Sequence, residues 1–431
     1  MTTRQTTPKL RATVGAALGL GALAVGLGPV SDAPAKTRAD LQNTQLISRS
    51  LDGGIPNGPS TNPAISSDRR YAKLIAFESE ASDLVAGDGN GVKDVFAIQR
   101  GGGYGNDGSP WQAGKTYLVS RGVGGQPANG PSWGASVDGS FTSKASCVGF
   151  LSAASNLVSG DTNGKVDAFV ARPGGAVQRV SLPGGSQSSV DASDVAVSGD
   201  CKKVAFVTGG SLYVRSGRSV KSLGPGADPS WSTGKAAESD LVYTGTRGVA
   251  LSDGGTRKGK LVVPGGRNPA YNNIKRQVVA YERTRGGQTQ VLWKDLGRGE
   301  RAASAFRSSI GNSESRNPVI GNSGFYIAFE SSASNLQTDA SGRRADGNGT
   351  SDVYLFTDAR DITLLQSVQD KGVALPGGGK NPGMSFYANY IVFDSPAPLG
   401  SSGPRQVFMR YLAPSDSRSD DLAGGSILGR A

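Results

Sequence analysis

Histidine is absent from this 431-residue chain. That removes the usual general base near neutral pH, the commonest zinc ligand and every catalytic triad built on imidazole. Cysteine is scarce: Cys147 and Cys201 alone cannot complete a four-ligand zinc site. Basic residues are in excess, with a formal charge of +11, but they are scattered singly rather than gathered in a block or along a helix. A bland solvated surface is the first reading, and weak attraction to anionic polymers the second; no specific nucleic-acid partner is expected. Glycine, with 64 residues, has no strict period of three, so the chain is not collagen-like. Long amphipathic helical patterns are missing. Beyond residues 12–30, no segment is apolar and long enough to span a bilayer.

What is present begins with an export signal. Residues 1–11, MTTRQTTPKLR, carry three bases and no acid; 12–30 are uncharged; Ala33-Pro34-Ala35 has the small-x-small form of a cleavage site. The expectation is a signal peptide over 1–35 cut after Ala35, then a linker over 36–44. The alternative is an uncut membrane anchor. Export would place the mature chain, without a membrane span, outside the cell or in the cell envelope.

The rest is organised by repeats. IAFESEASDLVAGDGNGVKDVFAI (75–98), VGFLSAASNLVSGDTNGKVDAFVA (148–171) and IAFESSASNLQTDASGRRADGNGTSDVYLF (327–356) are near copies, the last carrying an insertion of six residues. Shorter copies occupy 202–215, 239–252, 276–295 and 389–410. Each is a pair of short Val/Ile/Phe/Tyr-rich runs joined by a polar turn, the pattern of a strand hairpin. A short element precedes each hairpin, as in NPAISSD (62–68), DPSWSTG (228–234), NPAYNN (268–273), NPVIGNSG (317–324) and NPGMSF (381–386). Asn/Asp-Pro is expected to start a turn there, followed by a strand. A further β-type stretch lies before each of these, such as TYLVSRG (116–122) or GKLVVPG (259–265); it is faint in RAASAFRSS (301–309).

The unit is therefore four strands, and seven copies can be counted between residues 45 and 413. One small antiparallel sheet cannot bury both faces, but sheets stacked around an axis can. The predicted fold is an all-β propeller of four-stranded blades, seven by this count and six as the alternative. QLISRS (45–50) would close the ring as the outer strand of the last blade, which removes an exposed edge. An open β-solenoid and tandem sandwiches are the rival folds. Residues 414–431 read as a disordered polar tail.

These motifs resemble the TolB-like, or WD40-like PD40, propeller repeat family, whose pattern is roughly Asn-Pro-x-Trp-Ser-Pro-Asp-Gly followed by Ile-Ala-Phe and Ile-Tyr-Val strands. DPSWSTG at 228–234 is nearest to its first half; IAF at 75–77 and 327–329, VAF at 204–206 and LYV at 212–214 match the second. The Ala-Ser-Asn-Leu…Asp-Thr-Asn-Gly…Asp form at 154–167 looks like a secreted bacterial subgroup. Several repeats lack the Trp and the Pro-Asp-Gly turn, and the family often has six blades. The resemblance implies scaffolding, protein binding or carbohydrate binding, in a family that also includes propellers attached to peptidase or lyase domains.

The sharpest local chemistry is an Asp-x-Asn-Gly-x-x-Asp loop in the three long copies: Asp88/Asn90/Asp94, Asp161/Asn163/Asp167 and Asp346/Asn348/Asp352. Oxygens at positions 1, 3 and 7 of a turn suit a structural calcium ion, with carbonyls and waters completing its six to eight ligands. The alternative is that Asp and Asn only shape the turn through bonds to the backbone. Cys147 and Cys201 fall near corresponding strands of neighbouring copies, Cys147 at the start of an inner strand, so a disulfide is open to them in an oxidising compartment; two separate thiols are the other reading. Trp133 and Trp231 share a repeat position, which favours packing over sugar stacking. Trp111, in the Gly-rich insertion 101–115, is a candidate exposed binding aromatic.

Three functions fit. The first is a non-catalytic exported module that binds a protein or a cell-surface glycan. The second is an envelope-associated structural component. The third is a lyase or glycosidase using carboxylates at the central face, for which Glu78 and Glu330 would be the candidates. Their equivalence in the repeat argues for a structural role.

Overall fold

The computed structural model describes residues 44–69, 71–101, 111–234, 240–274, 276–306, 309–321, 325–337, 345–358, 361–369, 374–399 and 401–412. The chain divides into Met1–Thr37 and Arg38–Ala431. The signal peptide and the tail over 414–431 lie outside the described residues, as does most of the 36–44 linker; the insertion in the third long copy falls partly outside them.

Seven four-stranded antiparallel sheets are set in a ring, forming a seven-bladed β-propeller. Blade 1 consists, from the axis outwards, of Ser60–Ile65, Leu74–Ser79, Asp94–Gly101 and Gln112–Leu118. The innermost strands of blades 2 to 6 are Ser132–Val137, Ala192–Val197, Ala227–Trp231, Arg267–Asn272 and Ser315–Gly321. Blade 7 runs Lys380–Met384, Tyr390–Pro396, Arg405–Tyr411, and its outer strand is Thr44–Leu46 from the other end of the propeller. The ring is thus closed by the first strand, as expected, although that strand is shorter than QLISRS. After Ile47 the chain turns away: Ser48 Oγ donates to Gln406 Oε1 at 2.8 Å, and the Leu51 amide bonds the Asp83 carbonyl at 2.8 Å. The faint outer strand of blade 5 is Gly299–Ala302.

The recurring Phe and Tyr of the hairpins explain the packing. Phe77 lies opposite Phe96, Phe150 opposite Phe169, Phe206 opposite Tyr213 and Phe329 opposite Tyr354, in the second and third strands of their blades. Ring centroids are 5.9, 5.6, 5.3 and 5.9 Å apart, and the rings are stacked. Each such pair stabilises the sheet by about 0.5–1.5 kcal/mol beyond its burial. The second and third strands are sandwiched between neighbouring blades, which is why they are apolar on both faces.

In all seven blades the register between the innermost strand and the second one shifts once. The Asn-Pro and Asp-Pro dipeptides sit at this shift, so the expected turn is instead a bulge inside the strand. Proline has no N–H to give a ladder, and a bulge is where a sheet tolerates it.

Candidate functional site

The bulges form the wall of the central channel. Asn62, Asp228, Asn268, Asn317 and Asn381 all have φ between +46° and +54°, and Gly134 takes the same place in blade 2 at +68°. In blades 1, 2, 5, 6 and 7 this backbone turns the amide toward the preceding blade. The Asn62 amide donates to Asp394 Oδ2 at 3.0 Å, Gly134 to Glu78 Oε1 at 2.8 Å, Asn317 to Glu282 Oε1 at 2.9 Å and Asn381 to Glu330 Oε2 at 2.9 Å. Blade 4 makes the link with Thr244 Oγ1, which accepts from the Asn268 amide at 3.0 Å. The same carboxylates accept from asparagine side chains of their own blade: Asn62 Nδ2 to Glu78 at 2.7 Å, Asn268 Nδ2 to Glu282 at 2.8 Å, Asn381 Nδ2 to Asp394 at 2.8 Å. Glu78 and Glu330 are therefore interblade clamps. Neither the asparagines nor the clamping acids stood out in the sequence as one network; the shared signal was Asn-Pro followed by an acid at the end of the next strand.

The channel encloses about 490 Å³ between the innermost strands. Its wall includes Asn62, Asp194, Asp228, Trp231 and Tyr271. Asp194 is held above the usual carboxylate range by burial and by the neighbouring Asp228. Burial likewise pushes the Tyr271 phenol up. Trp231 does not stack on solvent: its Nε1 donates to the Ala196 carbonyl of blade 3 at 2.9 Å.

At the end where the innermost strands finish, the channel is covered by the turn over residues 138–146 of blade 2. Its Phe141 reaches two blades in each direction. The Phe141 amide donates to the Thr233 carbonyl of blade 4 at 3.1 Å, and its ring meets Phe386 of blade 7 edge-on at 5.6 Å. The Arg69 guanidinium of blade 1 lies 4.1 Å from the ring centroid. Two buried acids shape the turn. Asp138 accepts from the Ser146 and Cys147 amides at 2.6 and 2.9 Å, and Asp68 accepts from the Ala145 amide at 3.2 Å. Burial raises both, Asp138 to about 6.

Cys147 and Cys201 form a disulfide between blades 2 and 3. Cys147 sits just ahead of Val148–Ser152, the second strand of its blade. The bond anchors the turn that covers the channel. The Asp138 carboxylate lies within 4.8 Å of both sulfurs, but a disulfide offers no thiolate to a metal.

In the three acidic loops the asparagine amide nitrogen, not its oxygen, faces the last aspartate. Asn90, Asn163 and Asn348 donate to Asp94, Asp167 and Asp352 at 2.6, 2.9 and 2.7 Å. The other amide hydrogen reaches the linker that leads into the next blade, at the Ala128, Ser188 and Leu375 carbonyls. Their side-chain oxygens accept from Val92, Lys165 and Thr350 amides two residues on. Each loop thus pins a linker on the open face of the ring. Burial raises Asp94 to about 6 and Asp352 to about 7. The loops differ in what faces their aspartates: in the second, Arg179 Nη1 lies 2.9 Å from Asp161 and 3.2 Å from Asp167.

Trp111 corrects an expectation. It is 2% exposed, packs into the core between blades 7 and 1, and its Nε1 donates to the Ala72 carbonyl at 2.8 Å. An aromatic in a Gly-rich stretch looks exposed, but this indole finds both an apolar niche and a carbonyl partner. No helix among the described residues is long and apolar enough to cross a membrane.

No protein-family profile and no curated protein matches this chain. Solved structures do, at low identity. The β-propeller domain of the Trilobed protease from Pyrococcus furiosus is 8% identical, with 82% of this chain and 95% of that one covered and a TM-score of 0.47. TolB from Acinetobacter baumannii is 13% identical over 88% and 86%, with a TM-score of 0.37. An acylaminoacyl peptidase from Pyrococcus horikoshii is 10% identical over 82% of this chain and 51% of its own length, with a TM-score of 0.45. These likenesses concern the propeller fold and nothing beyond it.

Proposed function

We propose that this chain is an exported, non-catalytic binding propeller, of the secreted TolB-like kind its repeats resemble, that receives a protein partner on the open face of its channel. The observation that carries this reading is the commitment of the rim carboxylates. Glu78, Glu282, Glu330 and Asp394 each accept a backbone amide of the next blade, so none stands free as an acid or base. With the far end covered by Phe141, the channel takes the end of a chain rather than a strand threaded through it. Exposed aliphatics favour protein over glycan: Leu51 and Ile55, Val123 and Val190 lie 67, 43, 56 and 46% exposed in three successive linkers on that face. The Cys147–Cys201 bond fits an oxidising compartment outside the cytoplasm.

The test is titration of the chain with a panel of short peptides bearing free termini and of cell-wall oligosaccharides, followed by tryptophan fluorescence and by product analysis. Saturable, stoichiometric binding of a peptide without turnover is expected. Release of products from either class overturns the non-catalytic reading, and saturation by oligosaccharides alone moves the partner to glycans.

A further inference from the structure

The three acidic loops are chemically identical in sequence motif and yet balanced in three different ways. In blade 2, the outer-strand residue Arg179 places a guanidinium between Asp161 and Asp167. In blade 6, the position of Arg179 is held by Leu365, and the first aspartate is satisfied otherwise: Tyr354 Oη donates to Asp346 Oδ2 at 2.7 Å. In blade 1 the same two positions are Leu118 and Phe96, neither of which can donate. Asp88 and Asp94 are 7% and 0% exposed. Asp94 accepts from Ser120 and Asn90, but among the described residues no side chain donates to Asp88, whose one donor is the Asn90 backbone amide. Two buried carboxylates, close enough to repel, thus have no cation beside them among the described residues, in a frame where the sister blade holds one.

We propose that the Asp88/Asp94 loop of blade 1 is a binding site for one hard divalent cation, of the calcium class, taking the place that the Arg179 guanidinium occupies in blade 2. The equivalence is fixed by register: Phe96 pairs with Leu118 as Phe169 pairs with Arg179, and Ser120 and Ser181 each donate to the last aspartate of their loop. Charge decides the chemistry. A buried carboxylate pair without a counter-charge is costly, and an isolated ion is stabilised there when oxygens surround it. The pair supplies two hard oxygen donors, and calcium accepts carbonyls and waters for the remainder. Asn90 is not a ligand in this arrangement. As Asn163 does beside Arg179, it braces the last aspartate while its other hydrogen holds the linker carbonyl of Ala128. The bound ion would stiffen the linker that carries Val123 on the open face.

Calcium calorimetry on the purified chain, with parallel melting curves, tests this. The expected result is one calcium ion per chain, binding weakened at least tenfold in Asp88→Asn. Leu118→Arg, which supplies an internal guanidinium as in blade 2, is expected to abolish binding and leave the melting temperature insensitive to calcium. Arg179→Leu is expected to raise the stoichiometry to two. No calcium heat, three ions in the wild type, or full binding in Asp88→Asn would overturn the proposal. Asp88→Asn keeps the size and shape of the side chain and removes only its charge, so it remains informative if Leu118→Arg fails to fold. Peptide binding at the channel is read separately in calcium-free buffer, so failure of one proposal does not decide the other.

Discussion

Phe141 of blade 2 lies edge-on against Phe386 of blade 7, ring centroids 5.6 Å apart, so one turn spans the end of the channel between blades that are not neighbours. A propeller channel is open at both ends unless something crosses it, and here the crossing residue is a single half-buried aromatic held by Arg69, Thr233 and Phe386. Phe141→Ala is expected to cost about 2 kcal/mol through lost packing and aromatic contact. Hydrogen exchange should accelerate in the turns over 66–73, 138–146 and 385–389 and stay slow in the second and third strands. Uniform acceleration throughout the ring would contradict a local role.

The Cys147–Cys201 bond closes a sequence separation of 54 residues. On the chain-entropy account, its loss in a Cys147→Ser/Cys201→Ser variant destabilises the fold by about 4 kcal/mol. Chemical denaturation of the two forms measures this directly. The turn it anchors should be the first region to exchange in the variant.

The interblade clamps make an asymmetric prediction. Glu282 is 4% exposed and accepts both the Asn317 amide and Asn268 Nδ2. Glu282→Ala leaves a buried backbone donor unpaired and is expected to cost about 2–3 kcal/mol. Glu282→Gln keeps an acceptor oxygen and is expected to cost about 1 kcal/mol. Equal effects of the two changes in denaturant unfolding would show that the amide bond is not what the carboxylate provides.

Asp138 gives the pH dependence of the covered end. Burial raises its carboxyl to about 6 from an ordinary 3.8. The folded chain therefore binds this proton more tightly than the unfolded chain; the stability contributed by the group is fully present below the ordinary value of 3.8 and is lost as pH rises through about 6. Asp68, raised by burial beside it, acts in the same direction. The melting temperature should be higher near pH 5 than near pH 7.5, and Asp138→Asn should shrink that difference. A larger difference in the variant would reverse the sign of the argument.

Much of the ring could be read from the chain because its hairpins repeat their aromatic pairs: Phe77 with Phe96 and Phe329 with Tyr354 mark second and third strands wherever they occur. Closure by the first strand was legible for the same reason, since QLISRS had no blade before it. The Asn-Pro dipeptides were misread as turns because the local preference of the pair is the same in a turn and in a bulge; only the paired strand, with its register shift, decides. Trp111 was misread because its partner, the Ala72 carbonyl, is 39 residues away in sequence. Nothing local marks Phe141 as the residue that crosses the channel, since its contacts come from blades 1, 4 and 7. The different balance of the acidic loops was hidden too, because Arg179 lies outside the motif and reaches it only through the outer strand.

Entry of a partner into the channel from its open face, as proposed here, is tested by one substitution. Ser230 lies on the channel wall in the innermost strand of blade 4. Ser230→Trp places an indole in the space a ligand would fill, and its melting temperature reports whether the ring is intact. Titrating wild type and Ser230→Trp with the tightest-binding peptide of the panel should show affinity falling at least tenfold in the variant at an unchanged melting temperature. Equal affinity in the two chains would place the partner elsewhere on the propeller and contradict the account.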